Sequence, residues 1–288
     1  MICLPTPSNG TLTLRAYCGT LDAAEDENGT ASFRDAARET AIVLTAFGTA
    51  TDASATYAFI EKYFRRHFPS CAIVWAFTSQ RLRRVMSARG VQWRSPAETL
   101  TDLHRRGYRR AVVQSLHIVP GQEYEKAVAA AATAPLPTAV GLPLLACADD
   151  CRRTVGALRD LMPPADDRAV VLAGHGTRHP VGAAQYKAFT DCLREHCGPA
   201  VHLCMVEGEP RWSTVHAALC ARGIRSVLFI PFMLVAGEHI MRDVLGAAAE
   251  SWRSSLDGIA VEALPRGIGF NEKILAVYAD HLRAALHA

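Results

Sequence analysis

Apolar residues along the chain fall in short bursts. The first is Ala41-Ile-Val-Leu-Thr-Ala-Phe-Gly-Thr49, closed by a small-residue turn. Runs of this kind predict strands buried on both faces. A helical stretch follows over about residues 53–67, with Phe59, Ile60, Tyr63 and Phe64 available for one face. Cys71 to Phe77 predicts a second strand, ending at Thr78-Ser79. Residues 80–106 predict helix, broken near Ser95-Pro96. Ala111 to Val119 predicts a third strand, stopped by Pro120-Gly121, and Glu123 to Ala132 a helix. Leu142 to Ala146 predicts a fourth strand. Residues 1–39 carry no such pattern, and Asp22 to Thr30 is polar, acidic and Gly-containing, so this segment is expected to be an N-terminal tail.

The pattern then repeats. Ala169-Val-Val-Leu-Ala-Gly-His-Gly-Thr177 aligns without a gap on residues 41–49, an offset of 128. The same offset carries Ser79 onto Glu207. Val119-Pro-Gly-Gln-Glu123 corresponds to Val235-Ala-Gly-Glu-His239 at an offset of 116, so the second half is 12 residues shorter between its second and third strands. Strands alternating with helices predict an α/β fold with parallel sheets. The expected organisation is a tail (1–39) and two pseudo-equivalent α/β domains, 40–150 and 151–288. Ligands of such sheets bind beyond the carboxyl ends of the strands, which places a large-ligand site in the cleft between the domains.

At 288 residues the chain is long enough for two domains. Half of it is hydrophobic and a net charge of +3 gives no sign of a general nucleic-acid binder. No apolar run reaches 18 residues, so no membrane span is expected. The N-terminus has no basic segment followed by an apolar one, which points to the cytoplasm. An odd count of nine cysteines fits that compartment. Cys147/Cys151 and Cys192/Cys197 have no second pair at zinc-finger spacing and read as buried or incidental thiols. The sequence leaves assembly into a homo-oligomer open.

Three residues of the second half follow successive strands: His175, Glu207 and His239. From one edge of one sheet all three can face one cleft. Two imidazoles and a carboxylate suit Co²⁺, Ni²⁺, Zn²⁺ or Fe²⁺. Three protein ligands leave coordination positions open, as metal transfer requires. The equivalent residues of the first half are Phe47, Ser79 and Glu123, an incomplete ligand set. A metal on one wall and a flat apolar partner against the other is the expected arrangement.

Gly174-His-Gly-Thr-Arg-His179, Val206-Glu-Gly208 and Pro231-Phe-Met-Leu-Val-Ala-Gly-Glu-His239 resemble the anaerobic sirohydrochlorin cobaltochelatase family, of the class II chelatase superfamily. So do Ala76-Phe-Thr-Ser79 and Gln114-Ser-Leu-His-Ile-Val-Pro-Gly-Gln-Glu-Tyr124. Each motif is short; five in the right order are specific together. The resemblance spans about Ala41 to Gly269. It implies a bilobal fold, a tetrapyrrole in the cleft, and metal ligands at His175, Glu207 and His239. Glu209 competes for the carboxylate role, but the family pattern and the repeat both favour Glu207. The implied reaction is ATP-independent insertion of Co²⁺, a substrate metal, into sirohydrochlorin or precorrin-2 for cobalamin synthesis. No P-loop motif is present, which agrees.

Insertion must strip water from the metal and remove two pyrrole protons. His175 or His239 is expected to serve first as ligand and then as base, with Glu207 offsetting metal charge. Arg81, Arg83, Arg84, Arg178, Arg211 and Arg242 read singly as surface charges and together as an anion-binding rim for the substrate carboxylates. Phe47 is a candidate stacking partner for the macrocycle, and His179 a substrate contact or a support for the ligands. Ser79, Arg81, Glu123 and Arg178 complete the substrate-facing set. His117 reads as a buried, hydrogen-bonded histidine. The alternatives are iron or nickel insertion toward sirohaem, a tetrapyrrole or metal carrier, and a zinc hydrolase, which shares the His₂Glu set but uses an H-E-x-x-H helix absent here.

Overall fold

Two four-stranded parallel sheets organise the chain, and they share one strand permutation. The computed structural model describes residues 39–51, 54–162, 168–238 and 240–288. The first sheet contains β1 (Thr40–Ala46), β2 (Ala72–Phe77), β3 (Arg110–Ser115) and β4 (Thr138–Gly141) in the order β2-β1-β3-β4. The second contains β5 (Arg168–Gly176), β6 (Val201–Glu207), β7 (Ser226–Phe232) and β8 (Ala260–Ala263) in the order β6-β5-β7-β8. The repeat read from the sequence is thus a repeat of topology. Residues 1–38, nearly all of the expected tail, lie outside the described residues, as does His239.

Helices connect the strands: α1 (Ser54–His67), α2 (Gln80–Ala88), α3 (Pro96–Arg105), α4 (Gln122–Ala132), α5 (Ala148–Arg159), α6 (Pro180–Cys197), α7 (Trp212–Ala221) and α8 (Glu272–His287). The break expected near Ser95-Pro96 is a helix start. Ser95 and Glu98 form a capping box with Pro96 in the first turn, where its missing N–H costs nothing. The 12-residue difference between the halves has a plain cause: β2 and β3 are joined through α2 and α3, β6 and β7 through α7 alone.

Two boundaries differ from expectation. The third strand ends at Ser115, and the fourth occupies Thr138–Gly141 rather than Leu142–Ala146. Thr138 to Gly141 pair with Ala111 to Gln114. The Leu142–Ala146 segment is apolar because Leu144 and Leu145 are fully buried. Their amides donate to the carbonyls of His117 and Ile118, beyond the end of the β3 strand.

The central strands are buried almost throughout, as parallel sheets covered on both faces require. One core cluster joins the halves, running from Ile42, Leu44, Ile60 and Phe64 through Leu172 and Phe189 to Ile274, Tyr278 and Leu282. The carboxyl-terminal helix α8 therefore returns to the first sheet. Tyr278 is fully buried and its hydroxyl donates to the carbonyls of Leu116 and His117, each at 3.1 Å. Arg110 on β3 caps the far end of α8 by donating to the carbonyls of Ala285 and Leu286. Among the described residues no helix is long and apolar enough to cross a membrane.

Candidate functional site

The carboxyl ends of β5 and β6 meet at a point that admits only glycine. Gly176 pairs with Glu207 in the parallel register. A Cβ at Gly176 would lie 1.7 Å from the Glu207 carbonyl oxygen, and its φ of +84° is left-handed. The two backbones thus approach as closely as they can where His175 and Glu207 emerge. The register staggers these residues by one position, so a regular pleat would send their side chains to opposite faces. Both strands end here, β5 at Gly176 and β6 at Glu207 just before the left-handed Gly208 (φ +105°), which releases them from that alternation.

His175 is half-buried and its Nδ1 lies 3.3 Å from the Gly176 carbonyl. That contact favours the Nδ1–H tautomer and leaves Nε2 as the electron-pair donor. Glu207 is exposed and has no hydrogen-bond or ion-pair partner among the described residues, so its carboxylate is available to an ion. Glu209 differs: it is tied to Arg211, with its carboxylate 2.8 Å from Nε and accepting from the Arg211 amide at 3.1 Å. Among the described residues no three His, Cys, Asp or Glu side chains form a metal-sized group. The third expected ligand, His239, lies outside the described residues. Its neighbours Ile240–Val244 form a π-helical turn anchored by the buried Ile240 and Val244, a feature frequent at functional sites.

Phe47 stands opposite. It directly follows β1 at 44% exposure, with its ring centroid 6.4 Å from that of His175. An exposed phenyl ring facing a candidate ligand is a ready surface for a flat apolar ring system. Ser79 is buried and caps α2, its hydroxyl accepting from the Leu82 amide while its own amide donates to the Phe47 carbonyl. Its role is to fix the loop that carries Phe47. Glu123 is half-buried, with one carboxylate oxygen 2.6 Å from Lys126 Nζ and the other buried without a partner among the described residues. His179 caps the entrance of α6 and reaches across to the first half, with Nε2 3.0 Å from Glu125 on α4. Its Nδ1 is buried and has no partner among the described residues. Glu125 was invisible as a partner in the sequence, since a first-turn acid on an exposed helix carries no signal of a contact 54 residues away.

The expected arginine rim divides in two. Arg83 is held by the Phe77 carbonyl, Arg211 by Glu209, and Arg242 by Glu238 and Asp243. Arg81, Arg84 and Arg178 are exposed or nearly so, with no acidic partner among the described residues. His117 is hydrogen-bonded as expected, but half-buried rather than buried. Thr78 Oγ1 lies 3.3 Å from its Nε2 and Ser115 Oγ 2.9 Å from its Nδ1. Burial pushes its pKa down to about 4, against a smaller opposing pull from Glu123, so it is neutral at pH 7.

The family model for cobalt chelatase (CbiK) matches residues 40–287. The sirohydrochlorin cobaltochelatase CbiKC of Nitratidesulfovibrio vulgaris is 34% identical over 263 residues, covering 86% of this chain and 90% of that protein. The sirohydrochlorin cobaltochelatase of Salmonella typhimurium is 34% identical over 219 residues, covering 74% of this chain and 82% of that one. Among solved structures, the sirohydrochlorin chelatase SirB from Bacillus subtilis subspecies spizizenii, in complex with cobalt, superposes with a TM-score of 0.59 at 15% identity, covering 86% of this chain and 96% of that one. That likeness concerns the fold, whereas the family match and the two relatives extend over most of the sequence: the chain belongs to the cobalt chelatase (CbiK) family.

Proposed function

We propose that this protein inserts Co²⁺ into sirohydrochlorin, holding the incoming metal with His175, Glu207 and His239. The observation that carries the reading is the pair of strand ends at Gly176 and Glu207. There a carboxylate with no partner among the described residues and an imidazole leave neighbouring strands of one sheet. Membership of the cobalt chelatase family supplies the metal and the reaction class.

The residues divide the work as their environments suggest. Glu207 offsets the charge of Co²⁺ as water leaves, since a carboxylate is a hard, anionic donor. His175 offers Nε2 to the metal, then takes one pyrrole proton as the metal passes to the macrocycle, and Glu207 takes the second. Phe47 packs on the ring face while the unpaired Arg81, Arg84 and Arg178 meet peripheral carboxylates. No step calls for nucleotide, and the sequence has no P-loop.

The test is an anaerobic absorbance assay with sirohydrochlorin and free Co²⁺, without ATP. The expected result is conversion to the cobalt complex faster than the uncatalysed rate. Tight binding of sirohydrochlorin with no acceleration would identify a carrier and refute the proposal.

A further inference from the structure

A cavity of about 230 Å³ lies on the same edge of the second sheet as the candidate ligands, and none of its lining residues belongs to the set described above. Its walls are Ala55 and Thr56 from α1, Val235 and Ala236 beyond β7, and Arg266, Gly267 and Phe270 beyond β8. The strand order β6-β5-β7-β8 sets its position. Glu207 and His175 end the first two strands, and the cavity opens beyond the last two. Two inter-strand intervals of ~4.8 Å separate β5 from β8, so it begins on the order of 10 Å from His175. That matches the reach from the centre of a tetrapyrrole to its peripheral acid groups.

The cavity has a rigid floor and one cation. The amides of Ile268 and Gly269 donate to the carbonyls of Met233 and Leu234, which stitches the turn after β8 to the chain leaving β7. A Cβ at Gly269 would lie 2.7 Å from the Leu234 oxygen and 2.8 Å from Thr56 Cγ2, so the two halves meet here without slack. Arg266 is exposed, and its guanidinium lies over the Phe270 ring at 5.1 Å from the centroid. It has no carboxylate partner among the described residues. Stacking holds the guanidinium plane and leaves its N–H edge for a planar anion. Among the described residues the other walls are small or apolar and carry no acidic side chain.

We infer that this cavity seats one peripheral carboxylate arm of the tetrapyrrole, with Arg266 as its cationic partner. Arg266 thereby acts as a positioning residue that fixes the rotation of the macrocycle over the metal. The inference rests on the reading of the protein as a sirohydrochlorin chelatase.

The experiment compares wild type with Arg266→Gln, Arg266→Lys, Ala55→Glu and, as a control, Arg109→Gln. Arg109 is a surface residue whose carboxylate partner among the described residues is Glu39. Two quantities are read: the Kd of metal-free sirohydrochlorin from anaerobic fluorescence quenching, and KM and kcat with Co²⁺. Loss of one charge-assisted contact should raise Kd and KM roughly ten-fold or more in Arg266→Gln, a larger change than in kcat. Arg266→Lys should recover part of it. Ala55→Glu, an exposed position where a new carboxylate repels the substrate arm, should raise both constants without touching Arg266. Wild-type constants in both Arg266→Gln and Ala55→Glu, beside an active wild type, would overturn this inference alone. A wild type that neither binds nor metallates sirohydrochlorin would overturn the functional proposal and this inference with it.

Discussion

Replacing Gly176 with alanine tests whether the two strand ends must stay in contact for metal transfer. The new methyl would sit 1.7 Å from the Glu207 carbonyl oxygen, 2.8 Å from its carbonyl carbon and 3.1 Å from Met205 Cβ. A carbon and an oxygen need about 3.3 Å, so β5 and β6 must part by on the order of 1 Å or more at this point. A left-handed φ costs a non-glycine residue about 1–2 kcal/mol. Lost contact between the strand ends adds about 1 kcal/mol. A total of about 2–3 kcal/mol lowers the melting temperature by roughly 5–10 °C in a protein of this size and leaves it folded at 25 °C. A 1 Å displacement of a catalytic group costs on the order of 100-fold in rate. Gly107→Ala separates the two effects, because its φ of +83° is the same while nothing lies within 4 Å of the added carbon. The assay pairs thermal unfolding with anaerobic cobalt insertion. Gly176→Ala should lose stability and about 100-fold in turnover, Gly107→Ala stability alone. Equal turnover in the two variants would refute the claim that this contact sets the ligand geometry.

Three further outcomes are expected. Glu207→Gln should weaken Co²⁺ binding and slow turnover by about ten-fold or more, as for loss of a charged contact, while Glu209→Gln should do neither, because Glu209 is engaged with Arg211; metal titration of both variants decides it. Burial opposes ionisation of Asp150, but the His281 pair, the Cys147 thiol and the Ala146 amide together hold its carboxyl below the ordinary value. A depressed folded-state pKa gives stability present above the unfolded value of about 4 and lost as pH falls through the folded one. Asp150→Asn should therefore be less stable than wild type at pH 7, with the gap closing below about pH 4 in denaturant titrations. His117 acts in the same direction over a higher window: its folded-state pKa is about 4 against an ordinary 6.5, so between those values the unfolded chain binds the extra proton and acid destabilises the fold. His117→Gln should lack up to about 1.4 kcal/mol per pH unit of stability slope in that window, and an unchanged slope would contradict the assignment.

Much of this architecture was legible in the sequence because parallel strands announce themselves. Residues 41–46 and 169–174 are apolar without alternation, which only a strand covered on both faces requires. Each run ends in a glycine-bearing turn, which located His175 and, by the repeat, Glu207. The fourth strand was misplaced because Thr138-Ala-Val-Gly is short and weakly apolar, whereas Leu144 and Leu145 are apolar for a reason unrelated to strand pairing. The return of α8 to the first sheet was not legible either. Its buried face, with Ile274, Tyr278 and Leu282, shows that it packs but not on what. For the same reason neither the Glu125–His179 bridge between halves nor the Asp150–His281 pair could be read, since contacts between distant segments leave no local pattern. Ser79 illustrates the limit at the site itself. The repeat gave its position correctly, but only its hydrogen bond to Leu82 shows that it caps a helix.

The most direct measurement is the initial rate of anaerobic cobalt insertion into sirohydrochlorin by wild type, His175→Ala and His239→Ala, with Co²⁺ affinity recorded for each. Both variants are expected to stay folded, bind Co²⁺ more weakly and lose most of the rate. Full activity in both would contradict the central claim that these two imidazoles, with Glu207, hold the metal before its transfer.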